Sequence, residues 1–115
     1  MRTEWREGAP MVCARSNFAL VAFKDAVYAV GGIAARDQFE GHRPVLSQYA
    51  CERYTPASNT WNVINIANLP SLAAFSWTKV DDTQMAILGG SNGSIMQDEL
   101  LFVDFKTQTC KNESA

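Results

Sequence analysis

The chain has 115 residues, 47% of them hydrophobic and 19% charged, with a formal net charge of −2, a profile of an ordinary globular unit rather than a disordered one. Its basic residues form no run, which excludes a phosphate-tracking surface, so no nucleic acid is expected as a partner. The longest apolar stretch, residues 26–35, falls well short of the roughly 20 residues that span a bilayer, and the first residues lack a signal-peptide core, so the expectation is a cytoplasmic chain with no membrane partner.

Taken in order, the segments are short, rich in Val, Ile, Tyr, Phe and Trp, and bounded by turn residues, which predicts an all-β fold. Helical periodicity is hard to find. The opening stretch TEWREGAPMVCARSNF carries Trp5 and a proline-containing link. Strands are predicted at 18–23 and 27–30, joined by the polar turn KDA, and the second of them, VYAVGG, stops on Gly31 and Gly32. After a long loop, residues 33–48, come strands 48–54 and 61–66. A second hairpin follows, 77–80 and 85–88, joined by VDDTQ and ending on MAILGG, with Gly89 and Gly90 in the same place. A last strand is predicted at 99–105.

The order strand, turn, strand ending in Gly-Gly, loop, strand, turn therefore occurs twice. Aligning Tyr54 with Val103 puts Thr55 on Asp104, Ser58 on Thr107, Thr60 on Thr109 and Trp61 on Cys110. From Gly31 to Gly89 the step is 58 residues and from Trp61 to Cys110 it is 49, so the first loop carries an insertion of about nine residues. Trp5 lies fifty-six residues before Trp61 and marks a third, partial copy.

A period near 50 residues, with four strands per unit, Gly-Gly after the second and Trp opening the fourth, resembles the kelch repeat. The first copy is specific, with Arg15, Tyr28, Gly31, Gly32, Tyr54, Pro56, Asn59 and Trp61 in kelch order. The second is degenerate: Ala73 or a neighbour stands where the Arg is expected, Ala86 where the Tyr is, and Cys110 where the Trp is. The resemblance implies an all-β chain of kelch-type β-propeller blades, each a four-stranded antiparallel sheet, with about two blades and therefore an incomplete propeller. The expected divisions are residues 1–12, the last strand of a preceding blade plus a link; residues 13–66, one blade; and residues 67–115, a degenerate blade with its last strand truncated after Cys110. Tyr54 and Trp61 are expected to pack between blades. The open sheet faces imply further blades in the same chain or a homo-oligomer.

Chemistry is sparse. Cys13, Cys51 and Cys110 are odd in number and far apart, which suggests neither a disulfide framework nor a zinc site. The single histidine, His42, excludes a multi-His metal centre, and the glycine-rich segments lack the Lys-Ser/Thr of a phosphate loop. Asp81 and Asp82 suit a hairpin turn. No catalytic residue, metal or cofactor is expected, and the chain is read as a non-enzyme. What remains is the inserted loop, whose Arg36, Asp37, Phe39, Glu40, His42 and Arg43 have the composition of a recognition surface. In kelch families partners dock on the loops after the glycine pair and those leading into the first strand. That resemblance implies contact positions Asn17, Arg36, His42 and Arg43 in the first blade, to which the composition of the loop adds Phe39, and Ser91, Asn92 and Ser94 in the second, with Arg15 structural. The expected function is binding of a protein or peptide. Substrate recognition for a ubiquitin ligase is one form of it, with a kelch-type enzyme or sugar-binding propeller and an actin-associated scaffold as alternatives.

Overall fold

The computed structural model describes residues 7–34, 39–40, 43–44, 46, 49–93 and 95–112, with the backbone alone at 39–40 and 43–44. No helix occurs among them. The strands are β1 (Ala19–Ala22), β2 (Val27–Val30), β3 (Phe39–Glu40), β4 (Arg43–Pro44), β5 (Cys51–Thr55), β6 (Thr60–Val63), β7 (Ser76–Lys79), β8 (Gln84–Leu88), β9 (Leu100–Asp104) and β10 (Thr109–Asn112). They form two four-stranded antiparallel sheets, β1-β2-β5-β6 and β7-β8-β9-β10, with neighbours in space also neighbours in sequence once the small β3-β4 hairpin is set aside. The chain is thus two kelch-type blades of an incomplete propeller.

The two blades match residue for residue at their turns. Tyr54 pairs with Trp61 and Thr55 with Thr60 in one, Val103 with Cys110 and Asp104 with Thr109 in the other, which is the alignment read from the sequence. The hydroxyl pairs Ser58–Thr60 and Thr107–Thr109 both lie at 2.7 Å. Asn59 and Gln108 close the turns at φ 52° and 56°. Where the first blade has Thr55, Asp104 folds its carboxylate over the Lys106 and Thr107 N–H groups at 2.9 and 3.3 Å, a local bond that Asp supplies readily in turns.

The blades stack face to face. Because strand side chains alternate, Ala19, Val21, Tyr28, Val30 and Cys51 share one face of the first blade, and Met85, Ile87, Leu101, Val103 and Cys110 share one face of the second. All ten are buried in a single apolar cluster. Its rim holds three aromatic rings, Tyr28 lying 4.2 Å and Phe23 5.3 Å from Phe105. The opposite faces point outward, and the radius of gyration of 14.5 Å exceeds the ~13 Å of a closed compact domain of this length.

Two expectations are corrected. The last strand is not truncated, since β10 has four residues like β6. The inserted loop is not strandless, since β3 and β4 pair Phe39 with Pro44 and Glu40 with Arg43. Tyr54 and Trp61 lie on the face of the first blade turned away from the second, so the seam between these two blades does not test their expected packing between blades. Their rings pack on each other at 5.2 Å on the outward face, where the Trp61 indole donates to Ala9 O at 2.8 Å and the Tyr54 hydroxyl donates to Asn59 Oδ1 at 2.7 Å. The residue in place of Arg15 is Leu72, a neighbour of Ala73 as expected. The lead-in bridges pair Ser16 with Ile33 and Ala73 with Ser91, so Ser16 matches Ala73 and the preceding residues match each other.

Candidate functional site

One end of both sheets gathers the lead-in segments, the glycine pairs and the loops that follow them. Gly31 and Gly32 have φ of 73° and 108°, and Gly89 and Gly90 have 76° and 95°, a region that residues with a side chain enter at a cost. Side-chain bulk is excluded as well. A Cβ on Gly32 would lie 2.8 Å from Ser16 O, and one on Gly90 2.8 Å from the Phe75 Cβ. The glycine pairs therefore let each lead-in segment lie directly on the strand end.

Beneath the first lead-in segment is a buried ion pair. Arg15 Nη2 meets Glu52 Oε2, both side chains having no solvent exposure, and Arg15 Nη1 donates to Gly31 O at 2.8 Å. The Glu52 carboxylate also accepts the backbone N–H groups of Val12 at 2.6 Å and Cys13 at 3.1 Å. Arg15 is thus structural in position, and Glu52 fastens the lead-in segment to β5. The second blade replaces both ions together: Leu72 stands for Arg15 and Leu101 for Glu52, each buried. Burial dominates the chemistry nearby, since desolvation pushes the Cys51 thiol up to about 12, Arg15 and Arg53 opposing the rise and Glu52 adding to it. Burial raises Cys110 too.

The contact positions implied by the resemblance divide by blade. Asn17 is exposed, at φ 55°, and its carbonyl accepts the Ala74 N–H at 3.0 Å, so it sits where the two blades meet. Arg36, His42 and Ser94 lie outside the described residues, as do Trp5 and the side chains of Phe39 and Arg43. In the second blade Ser91 and Asn92 shape their own loop. Ser91 Oγ accepts the Gly93 N–H at 3.1 Å, and Asn92 Oδ1 accepts the Ile95 N–H at 2.9 Å. The Gln97 N–H closes the loop on Gly90 O at 2.6 Å.

That compact loop presents two residues passed over in the sequence, Ile95 and Met96, exposed by 64% and 69%. Their signal was there: two large apolar residues together inside the turn-rich stretch SNGSIMQD. Val12 adds a third exposed apolar side chain on the lead-in segment. Glu52 also went unremarked, although a carboxylate second in CERYT, directly before Arg53, interrupts an otherwise strand-like run. Among the described residues no three His, Cys, Asp or Glu side chains gather to hold a metal, and no helix is long and apolar enough to cross a membrane.

Two stacked four-stranded sheets, each with a glycine pair after its second strand and the same turn register after its third, define a pair of kelch-type propeller blades. Known proteins agree with that class. The chain is similar to Kelch-like protein 38 of Homo sapiens, 27% identical over 100 residues, covering 87% of this chain and 15% of that protein. It is also similar to N-acetylneuraminate epimerase of Salmonella enteritidis PT4 (strain P125109), 23% identical over 100 residues, covering 87% of this chain and 25% of the epimerase. The chain thus spans a quarter or less of the length of these curated relatives. No family model matches it.

Proposed function

We propose that these blades form part of a protein-interaction module and that the glycine-pair end receives a protein or peptide partner. The observation that carries this reading is the pair Ile95 and Met96, held out to solvent on a hydrogen-bonded loop at the same end as Asn17 and the inserted loop. Large apolar side chains on a rigid support, with arginines and an aromatic in the neighbouring loop sequence, have the makeup of an interface hot spot. Kelch-type similarity supports the class of function, while a ligase substrate receptor and an actin-bound scaffold are particular forms of it.

The test is affinity capture with the parent chain, an Ile95→Asp/Met96→Asp variant and an Arg36/Phe39/Arg43 triple alanine variant. The expected result is a specific partner retained by the parent and lost by both variants, with the folded β spectrum unchanged. Equal recovery by all three forms refutes the reading. Recovery of a cullin, or co-sedimentation with actin filaments, separates the ligase and scaffold forms. A sugar-acting propeller is the second reading, carried by the similarity to the epimerase, and titration calorimetry with N-acetylneuraminate decides it.

A further inference from the structure

We infer that the cleft between the two blades, at the end opposite the glycine pairs, is a binding site for a free α-amino acid with an apolar side chain. The site lies apart from the proposed partner surface and does not rest on that reading.

The β1–β2 turn forms one wall of the cleft, and the β7–β8 and β9–β10 turns form the other. The rings of Phe23, Tyr28 and Phe105 make its floor, while the exposed Lys24 and Asp25 stand at its mouth on the first blade and the exposed Asp82 and Lys106 on the second. Both walls belong to the seam inside this chain, so the cleft keeps its lining whatever covers the outward faces. The walls are also fixed to each other before a ligand arrives. Lys79 reaches from the second blade to donate to Ala22 O at 3.0 Å, its ammonium 4.8 Å from the centre of the Phe23 ring, and the Phe105 N–H donates to Thr83 O at 2.8 Å. A cleft held in shape this way binds with little cost for ordering its own groups.

Three features choose the ligand. The first is the Tyr28 hydroxyl. Tyr28 is 8% exposed, yet its hydroxyl has no hydrogen-bond partner among the described residues, and it is not one of the side-chain atoms enclosed without a partner, which are Arg15 Nε and Arg53 Nε. Buried tyrosine hydroxyls ordinarily have a partner. This one opens onto the cleft, where it would donate to a ligand carboxylate.

The second feature is charge. Among the described residues the ion pair is that of Arg15 with Glu52, so the four charged groups at the mouth stand without ionic partners. Each wall offers one positive and one negative group. A simple anion would face both aspartates and a simple cation both lysines, whereas a ligand with an ammonium beside a carboxylate meets a complementary charge on either wall. The third is size. A volume of about 210 Å³ falls below the roughly 300 to 1,000 Å³ of sites for drug-sized molecules, which leaves room for one amino acid and not for a length of chain. The Phe23 and Phe105 rings give its side chain an apolar seat.

The test is titration of the 115-residue chain with L-leucine and L-phenylalanine, followed by calorimetry and by the ring-proton resonances of Phe23, Tyr28 and Phe105. N-acetyl-L-leucine and L-leucinamide each lack one of the two charges and stand for the two ends of a peptide. Saturable binding of a free amino acid that shifts those resonances is expected, with each blocked probe at least about tenfold weaker than L-leucine. Tyr28→Phe removes a hydroxyl that bonds nothing in the chain, so the variant should fold as the parent does and bind the amino acid about tenfold more weakly. The inference is overturned if neither amino acid binds saturably, if either blocked probe binds as tightly, if the shifts fall on other resonances alone, or if Tyr28→Phe binds as the parent does.

Discussion

Replacing Glu52 by Leu should destabilise the first blade severely, and replacing Arg15 by Leu in the same chain should give about half of that stability back. In the single variant the Arg15 guanidinium stays buried with only Gly31 O as acceptor, its Nε already lacking a partner, and the Val12 and Cys13 N–H groups lose their carboxylate. Breaking one side of a buried ion pair costs about 3 to 5 kcal/mol, and two lost backbone bonds add about 1 kcal/mol each. In a domain whose whole stability is of order 5 to 15 kcal/mol this approaches unfolding. The double variant carries no buried charge and reproduces Leu72 and Leu101 of the second blade, so only the bonds of the Val12 and Cys13 N–H groups and of the Gly31 carbonyl are missing and the loss falls to about 3 kcal/mol. Urea denaturation of parent, both single variants and the double variant completes a thermodynamic cycle. The coupling should be several kcal/mol, and losses that add within about 0.5 kcal/mol, as for independent sites, would refute the reasoning.

Gly31→Ala and Gly89→Ala share the left-handed backbone cost of roughly 1 to 2 kcal/mol, but only the first also meets the Leu72 carbonyl and the Phe75 ring. Gly31→Ala should therefore lower the urea midpoint clearly more than Gly89→Ala. Trp61→Ala should cost about 2 kcal/mol, below the roughly 3 to 5 of a fully buried aromatic, because Trp61 is half-buried on the outward face. Tyr28→Ala, in the seam, should reach the full figure, and a reversed ranking in the same denaturation series would contradict the placement. The Cys51 thiol, raised from 9.0 to about 12 by burial, favours the folded state fully below pH 9, and that contribution is lost as pH rises from 9 towards 12. Unfolding free energy should therefore fall more steeply over that interval in the parent than in Cys51→Ala, and parallel profiles would show that the thiol is not buried.

Much of the fold was legible because the repeat is written in residues whose roles are local. Glycine pairs mark strand ends by their backbone freedom, and Thr, Ser and Asn mark turns by hydrogen bonds within a few residues. Those cues set the register of Tyr54 against Val103 correctly without any knowledge of packing. The lead-in segments carry no such cue. Matching Arg15 with Leu72 depends on the bridges Ser16–Ile33 and Ala73–Ser91, which join residues far apart in sequence. The β1–β2 and β7–β8 turns differ by one residue, so a count from the glycine pairs lands on Ala73. The direction in which Trp61 faces was hidden for the same kind of reason, because alternation says which residues share a face but not which blade lies opposite. Among the candidate contact residues Asn17 was implied by the family resemblance, whereas Ile95 and Met96 became visible only once the Ser91 and Asn92 bonds showed which side chains the loop leaves outside.

The left-handed positions Ala74 and Gln108 bear on the order in which the chain folds. The first blade fills the same positions with Asn17 and Asn59, and asparagine tolerates that backbone region better than alanine or glutamine does. The first blade thus has local preferences that agree with its turns, and the second has two that oppose them at a cost of roughly 1 kcal/mol each. What offsets that cost is the shared core, in which Met85, Ile87 and Val103 are buried against the first blade. The second blade therefore forms late, on the face of a first blade already in place, and pulsed hydrogen exchange should find the β1–β2 amides protected before those of β7–β8.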